Sequence, residues 1–111
     1  MTRISQGDLI YVNFDPQSGH EQAGKRPCIV LSPDIFNAHT HFIIVCPITS
    51  KKKNYPFEVA LPDGLKISGV ILTDQIKSID KNTRFLNIVD SAPNSVTNKC
   101  LDKVYAILPR P

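Results

Sequence analysis

The sequence predicts a mainly β protein with one C-terminal α-helix, folded as a small and strongly bent β-barrel. Short runs rich in β-branched and aromatic residues follow one another between turn signals, which is typical of short strands. Only the C-terminal segment repeats its apolar residues at helical spacing. Six or seven strands with one helix packed on them favour a barrel. The 111 residues are long enough for one domain, residues 1–111, with a single core.

Three strands are predicted in the first half of the chain, at residues 8–14, 27–32 and 42–49. The first of them ends at Asp15 and Pro16, where a long polar loop begins. Between the second and third strands, residues 34–37 are predicted to form one helical turn that starts after Pro33.

The second half of the chain is predicted to contain strands at residues 57–61, 69–73, 75–79 and 85–89. In the third of these strands the period of two would place Gln75 and Lys77 on one face and Ile76 towards the core. The helix is expected to begin with Asn94 or Ser95 as N-cap and to stop at Pro109.

The composition is that of an ordinary soluble domain, with 41% apolar and 21% charged residues. The apolar runs are too short to span a membrane, and the N-terminus turns polar before a signal peptide could form, which favours the cytoplasm. The net charge of +3 is compatible with a polyanionic partner.

Three cysteines lie in apolar stretches: Cys28, Cys46 and Cys100. They are predicted to be buried free thiols, because neither they nor the histidines show zinc-ligand spacing.

A cluster of charged side chains stands directly before the second strand. His20, Glu21, Lys25 and Arg26 supply an acid, a base and two cations immediately in front of Pro27. The guanidinium of an arginine matches a phosphate bidentately, and the proline limits the directions in which Arg26 leaves the backbone. The alternative is a surface ion pair between Glu21 and Arg26, which contributes roughly 0–1 kcal/mol.

Two hydroxyls and three lysines follow the third strand: Thr49, Ser50, Lys51, Lys52 and Lys53. Hydroxyl and ammonium groups at a strand end are common phosphate contacts, although a lysine run is also typical of a solvated turn. Tyr55 and Phe57 come next and are suited to stacking on unpaired bases, unless Phe57 belongs to the core. The polar groups of residues 73–78 are suited to contacting bases and phosphates, or form an ordinary solvent face.

Three blocks of the sequence together resemble the MazF/PemK family of toxins from toxin–antitoxin pairs. They are GDLIYVNFDPQSGHEQAGKRPCIVLSP, PITSKKKNYPFEV and GVILTDQIKSID, and they cover residues 7–80 in the family's order and spacing. The resemblance implies an SH3-like, CcdB/PemK-type β-barrel that forms a homodimer. It also implies a metal-independent endoribonuclease that needs no cofactor and cuts single-stranded RNA, chiefly mRNA, at short sequences.

The resemblance also implies which residues form the site. The catalytic residues would be Arg26, Thr49 and Glu21, and the loop from Pro16 to Lys25 would border the RNA groove. RNA contacts would come from Phe14, Pro16, His20, Gln22, Lys25, Ser50, Lys51, Lys52, Lys53, Gln75, Lys77 and Ser78.

The chemistry of RNA cleavage suits these residue types, because the RNA strand carries its own nucleophile, the 2′-OH. We expect Arg26 to stabilise the charge on the phosphorane and Thr49 to donate a hydrogen bond to a non-bridging oxygen. Because an arginine is a poor proton acceptor, Glu21 or His20 is the residue to test as the base. The expected products are a 2′,3′-cyclic phosphate and a 5′-OH end.

Three rival interpretations stay open. His39 and His41 would suit an acid–base pair of the kind other ribonucleases use, although they lie outside the matching blocks. Related barrels bind DNA gyrase without cutting nucleic acid, and a non-cleaving RNA-binding protein is the third possibility. For the leading interpretation the expected partner is a cognate antitoxin with an acidic disordered segment, through which the complex would also contact operator DNA.

Overall fold

The structure is a computed structural model that describes residues 3–13 and 24–111. Within these ranges the chain forms strands β1 to β7, helices α1 to α3 and a 3-10 helix at Thr73–Gln75. The strands are β1 (Asp8–Asn13), β2 (Lys25–Val30), β3 (Phe42–Thr49), β4 (Glu58–Ala60), β5 (Val70–Leu72), β6 (Lys77–Asp80) and β7 (Phe85–Ser91). The helices are α1 (Asp34–His39), α2 (Lys81–Arg84) and α3 (Asn94–Ile107).

All the strands belong to one antiparallel sheet whose neighbours run in the order β4-β5-β3-β2-β1-β7, with β6 also paired to β3. In the part of the chain that is described, the path ends at β4 and at β7, so the sheet curls without closing. This arrangement, with α3 at the C-terminus, confirms the predicted class of a mainly β, SH3-like barrel fold with one C-terminal helix.

Strand β3 is shared by three partners. One edge pairs with β2, where Ile29 lies opposite Cys46. The other edge pairs first with β6, where Lys77 lies opposite Val45, and then with β5, where Val70 lies opposite Thr49. Strand β3 therefore joins both β5 and β6 to the rest of the sheet.

The hydrophobic core has two parts, one on each face of the sheet, rather than the single core expected. Alternate residues of β1, β2 and β3 point to opposite faces, so both parts receive side chains from the same strands. The first part includes Leu9, Ile29, Cys46, Ile48, Ile71, Cys100 and Val104. The second part includes Ile10, Val12, Cys28, Val30, Ile43, Val45 and Ile79.

Most predicted elements are confirmed, and β3 has the predicted bounds. The strand predicted at 75–79 begins only at Lys77, because Gln75 ends the 3-10 helix, so the predicted shared strand face of Gln75 and Lys77 is wrong. Helix α3 begins at Asn94 with Pro93 in the N-cap position and no side-chain cap, which corrects the predicted cap. Helix α2 was not predicted; its first turn is capped by the Asp80 side chain, which accepts a hydrogen bond from the Asn82 amide.

None of the helices in the described ranges has the length and apolarity that crossing a membrane requires.

A buried polar network fixes α1 to the sheet. Asn37 is 3% exposed. Its side chain accepts a hydrogen bond from the Ser32 hydroxyl and donates to the carbonyls of Ile4 and Ser32 at 3.0 Å. The Ser32 hydroxyl in turn accepts from the Ile44 amide at 2.9 Å. The network therefore connects the N-terminal segment, α1 and β3.

We expect Asn37→Ala to lower the free energy of unfolding by about 1–3 kcal/mol, because two buried carbonyls and a buried hydroxyl would lose a partner. Urea denaturation checks the value. The control is Asn98→Ala, an exposed position of α3 where alanine is the better helix former. An equal, small effect of both substitutions would contradict a stabilising role for the network.

The three cysteines are buried and free, as predicted. Burial is the largest cause that raises the pKa of Cys28, Cys46 and Cys100, each to about 12 from an ordinary value of 9.0. The folded protein therefore keeps these thiols protonated in a pH range where the unfolded chain ionises them.

The free energy of unfolding is accordingly expected to fall as the pH rises above about 9, because the unfolded state then loses thiol protons that the folded state retains. Urea denaturation between pH 8 and 10.5 measures the decline. The Cys46→Ala variant lacks one of the three thiols and should decline less steeply than the wild type. Identical slopes in the two proteins would show that other groups cause the effect.

Candidate active site

Arg26 and Thr49 lie at the same end of neighbouring strands. The β2–β3 register runs from Val30 opposite Val45 to Cys28 opposite Pro47. Two further steps of this register match Arg26 with Thr49, although the described pairing stops before them. Beyond Cys28, β2 stays paired with β1 and β3 with β5. The two side chains therefore stand where the strands leave their shared ladder.

Arg26, Thr49 and Lys77 belong to one face of the sheet. Arg26 precedes Cys28 by two residues, and Thr49 follows Val45 by four, so both share the face of the second core part. Lys77 precedes Ile79 by two residues and lies opposite Val45 on that face. Arg26 and Lys77 also both lower the pKa of Cys28, against the larger opposite effect of burial, which places both cations within electrostatic range of that sulfur. The structure thus places these three predicted residues on one face, with Arg26 level with Thr49 and Lys77 four strand positions away, opposite Val45.

A hydrogen bond from the backbone just after β3 orients the Thr49 side chain. Its Oγ1 accepts a hydrogen bond from the Lys51 amide at 3.1 Å. A hydroxyl that accepts from an amide still has its proton to donate, and no described residue accepts it. Thr49 is therefore placed to donate to an anionic oxygen from outside the protein.

The Thr49 backbone is approached closely by Gly69, which has a φ of +126°. A Cβ at this position would lie 2.9 Å from the Thr49 carbonyl carbon and closer still to its oxygen. Only glycine combines the left-handed φ with this approach. Gly69 is a residue that sequence reasoning missed, and its signal was a glycine directly before a short strand.

The three lysines lie on a turn, residues 50–54, which we name the lysine turn. Lys51, Lys52 and Lys53 are exposed, as expected of a solvated turn, but the backbone is bonded in a defined shape. The Glu58 carboxylate accepts hydrogen bonds from the amides of Lys53 at 2.8 Å and Asn54 at 3.0 Å. Asn54 has a φ of 61°, in the left-handed region.

The segment after the lysine turn is attached to the 3-10 helix. Tyr55 donates its hydroxyl to Asp74 at 2.6 Å, and this hydrogen bond is the largest cause that raises the pKa of Tyr55 to about 12. The buried Thr73 donates its hydroxyl to the Phe57 carbonyl at 2.6 Å. The 3-10 helix leads directly to Lys77, so the lysine turn and the Arg26 face are structurally connected.

The other predicted contact residues that are described lie apart from this face. The Lys25 ammonium lies 4.6 Å from the centroid of the Tyr11 ring, and Lys25 points away from Arg26 because successive strand residues alternate. Ser78 likewise lies on the opposite face from Lys77, and Gln75 is exposed at the end of the 3-10 helix. Five predicted site residues lie outside the described residues: Phe14, Pro16, His20, Glu21 and Gln22.

The two histidines of the rival scheme are far from Thr49. His39 makes a hydrogen bond with the Ile35 carbonyl at 3.0 Å, and the Nδ1 atom of His41 lies 3.0 Å from the side-chain nitrogen of Asn82. His41 directly precedes β3 and Thr49 ends it, which separates them by about 25 Å at 3.3 Å per residue. Across residues 3–13 and 24–111, no three His, Cys, Asp or Glu side chains are grouped as a metal ion would need.

Comparison with known proteins assigns the class of protein that this fold and face belong to. Residues 5–108 match the family described as the PemK-like, MazF-like toxin of type II toxin–antitoxin systems. The chain belongs to this family, as the sequence motifs indicated.

Individual relatives agree with that assignment. The chain is 53% identical over 73 residues to the endoribonuclease toxin MazF of Escherichia coli K12, an alignment that spans 66% of this chain and 65% of that protein. It is 32% identical over 109 residues to the endoribonuclease PemK of Escherichia coli, over 95% of this chain and 82% of that one. A chain of the MazE–MazF crystal structure (Form-II) from Deinococcus radiodurans superposes with a TM-score of 0.89 at 39% identity, over the full length of both chains.

Gly69→Ala is expected to displace the Thr49–Ser50 backbone, because the added Cβ would overlap the Thr49 carbonyl group. Amide chemical shifts of Thr49 and Ser50 in a two-dimensional NMR spectrum measure the displacement. Gly64→Ala is the matched control, since Gly64 also has a positive φ, of +95°, but nothing within 4 Å of a Cβ. Both variants should lose about 1–2 kcal/mol from backbone strain. Unchanged Thr49 and Ser50 shifts in Gly69→Ala would contradict the role of the close approach.

Proposed function

We propose that this protein is the toxin of a toxin–antitoxin pair and an endoribonuclease that cleaves single-stranded RNA, chiefly mRNA, at short sequences in the cytoplasm. The observation that carries the proposal is the placement of Arg26 and Thr49 on one face at the end of the β2–β3 ladder, with Lys77 farther along the same face, opposite Val45. Membership of the toxin family and the endoribonuclease names of MazF and PemK support it.

The proposed reaction uses the 2′-OH of the RNA as nucleophile. The 2′ oxygen forms a bond to the adjacent phosphorus while the bond from phosphorus to the 5′ oxygen breaks. One proton leaves the 2′-OH and one joins the departing 5′ oxygen, giving a 2′,3′-cyclic phosphate and a 5′-OH end. The reaction needs no metal ion or other cofactor, because alignment and charge stabilisation by side chains accelerate this transfer.

Arg26 stabilises the negative charge that develops on the phosphorane oxygens. Its planar guanidinium suits two oxygens of one phosphate, and Arg26 is exposed while Cys28 of the same strand is buried. Lys77 adds a second positive charge on the same face, opposite Val45, and both cations act on the pKa of Cys28, which lies between them.

Thr49 donates its hydroxyl proton to a non-bridging oxygen of the reacting phosphate. The Lys51 amide fixes the oxygen from the other side, so the direction of the O–H bond is restricted before RNA binds. Glu21 is our candidate for the proton acceptor, with His20 as the second candidate, since the chemistry requires a group that can bind the 2′-OH proton.

The lysine turn extends the positive surface beyond the reacting phosphate. Within residues 3–13 and 24–111, Lys51, Lys52 and Lys53 pair with no carboxylate, and the ion pair that the structure contains joins Arg3 with Asp34 at 3.2 Å. Exposed ammonium groups of this kind bind the phosphates of a nucleic acid with a strong dependence on salt. We assign them to the RNA on either side of the cleavage point, with Ser50 and Gln75 as further contacts, whereas Lys25 and Ser78 face away from Arg26 and Lys77 and are not assigned to this stretch of RNA.

The proposed partners are a second copy of the chain, giving a homodimer, and a cognate antitoxin. An acidic segment of the antitoxin would compete with RNA for the lysine turn and the Arg26 face. The Deinococcus radiodurans MazE–MazF structure supports an antitoxin partner, and any contact of the complex with operator DNA would be made by the antitoxin.

Arg26→Ala and Thr49→Val are each expected to slow cleavage of a long single-stranded RNA in EDTA by roughly a hundred- to a thousandfold, as for the loss of one oxyanion donor. Gel electrophoresis measures the rate, and 5′ phosphorylation of the fragments by a kinase checks for 5′-OH ends. Arg110→Ala, an exposed cation at the C-terminus, and Thr49→Ser, which keeps the hydroxyl, are the matched controls.

Each outcome of this experiment decides one part of the proposal. Discrete fragments that both controls produce and both test variants lose would support the enzyme and its site. Cleavage that survives Arg26→Ala and Thr49→Val would refute the site alone. Intact RNA after incubation with the wild-type protein would refute the enzyme and favour a non-cleaving RNA-binding protein or a toxin that binds gyrase.

A further inference from the structure

We infer that Glu58 and Tyr55 are positioning residues for RNA cleavage, which hold the lysine turn in the shape that aligns RNA with Arg26 and Thr49. This inference rests on the proposed function. Glu58 was not predicted to belong to the site, and Tyr55 was predicted only as a residue suited to stacking on bases. Neither is required to touch the reacting phosphate. Both act through the backbone of the lysine turn.

The Glu58 carboxylate holds the backbone of the lysine turn through two hydrogen bonds. Two successive amides, those of Lys53 and Asn54, point to its carboxylate at 2.8 and 3.0 Å. Successive amides before a left-handed residue form a concave anion-binding site, and Asn54 has the φ of 61° that such a site uses. The chain's own carboxylate occupies this concavity, so the phosphates of a bound RNA are left to the lysine side chains.

Tyr55 attaches the far end of the turn to the rest of the site. Its hydroxyl bonds to Asp74 at 2.6 Å, and the neighbouring Phe57 carbonyl accepts from the Thr73 hydroxyl. Thr73 and Asp74 belong to the 3-10 helix that leads to Lys77. The near end of the turn is bonded to Thr49 through the Lys51 amide. The turn is therefore tied at one end to Thr49 and at the other to the 3-10 helix that precedes Lys77.

The hydrogen bonds of Glu58 and Tyr55 that hold the lysine turn are called the brace, and the lysine charges give a physical reason for it. Three consecutive ammonium groups repel one another and would spread if the backbone were free, since their side chains form no ion pair with any residue the structure describes. Hydrogen bonds from amides to a carboxylate are stronger than bonds between neutral groups, and they do not neutralise the lysines in a salt bridge. Glu58 can therefore fix the turn while its lysines stay available to phosphates.

The brace predicts that binding and turnover respond in opposite ways. Glu58→Gln removes one negative charge beside the lysines, which by electrostatics alone should tighten RNA binding. The same substitution replaces one acceptor oxygen by a donor, so the two amides can no longer both be satisfied. If the turn positions RNA, the rate of cleavage of bound RNA should fall although binding does not weaken.

The test uses the full-length protein and a 5′-labelled single-stranded RNA that the wild type cleaves. Single-turnover rates at saturating protein give the rate of the bound complex, and filter binding in an Arg26→Ala background gives the dissociation constant. The variants are Glu58→Gln and Tyr55→Phe, the second of which removes one hydroxyl without changing charge. Asp63→Asn is the control for the charge change, because Asp63 is exposed on the loop between β4 and β5. Circular dichroism establishes that each variant is folded.

We expect both variants to slow the single-turnover step by roughly ten- to a hundredfold, the loss that a misplacement of about 1 Å causes. The dissociation constant should stay within about threefold of the matched protein, Asp63→Asn for Glu58→Gln and wild type for Tyr55→Phe. Single-turnover rates equal to those of the matched proteins would overturn the inference, as would a loss of binding with an unchanged rate. If Glu58→Gln does not fold, Tyr55→Phe alone decides. A wild-type protein that leaves the RNA intact would instead refute the proposed function.

Discussion

The fold depends on the way β3 is shared. Its eight residues pair with β2 along one edge and with β6 and then β5 along the other. Alternate side chains of β1, β2 and β3 are buried on opposite faces of the sheet, in the two parts of the core. Together the two parts bury interior residues of these strands, and α3 contributes Val96, Cys100 and Val104 to the first part.

The same constraint places the functional groups. Since the interiors of the strands are buried on both sides, polar side chains are found where the pairing changes. Arg26 stands where β2 leaves β3, Thr49 where β3 passes to β5, and Lys77 where β6 begins. The candidate site therefore lies where the strand pairing changes, and paired backbone beside each residue fixes the position of its Cα.

Sequence patterns predicted the elements that depend on hydrophobic period and little else. The bounds of β3 and the helical spacing of α3 follow from such periods, and the motifs singled out Arg26 and Thr49, which the fold places on one face. The patterns failed where local backbone geometry, or a contact between residues distant in sequence, determines the secondary structure and the side-chain contacts. The strand period suggested that Gln75 pairs in a sheet, whereas the Thr73 side chain bonds to Phe57, 16 residues away, and the chain turns into a 3-10 helix. In the alternating apolar and polar pattern of the strand predicted at 57–61, Glu58 occupies an ordinary polar position. Its hydrogen bond with the Asn54 amide depends on the left-handed φ of Asn54, which no hydrophobic period predicts.

The electrostatics of the site depend on the protonation of Cys28 and on the hydrogen-bond partners of the nearby carboxylates. Arg26 and Lys77 lie near Cys28, where burial outweighs their effect and keeps the thiol protonated, so Cys28 contributes no negative charge to the site. The nearest carboxylate to the lysine turn, Glu58, is engaged by backbone amides, and Asp74 accepts the Tyr55 hydroxyl. These carboxylates keep their charge but form no ion pair with Lys51, Lys52 or Lys53 among the described residues, so the three ammonium groups stay available to a polyanion. An acidic partner segment and an RNA strand would both respond to the field of these ammonium groups, so the charges that we propose for RNA binding would also make the two ligands compete.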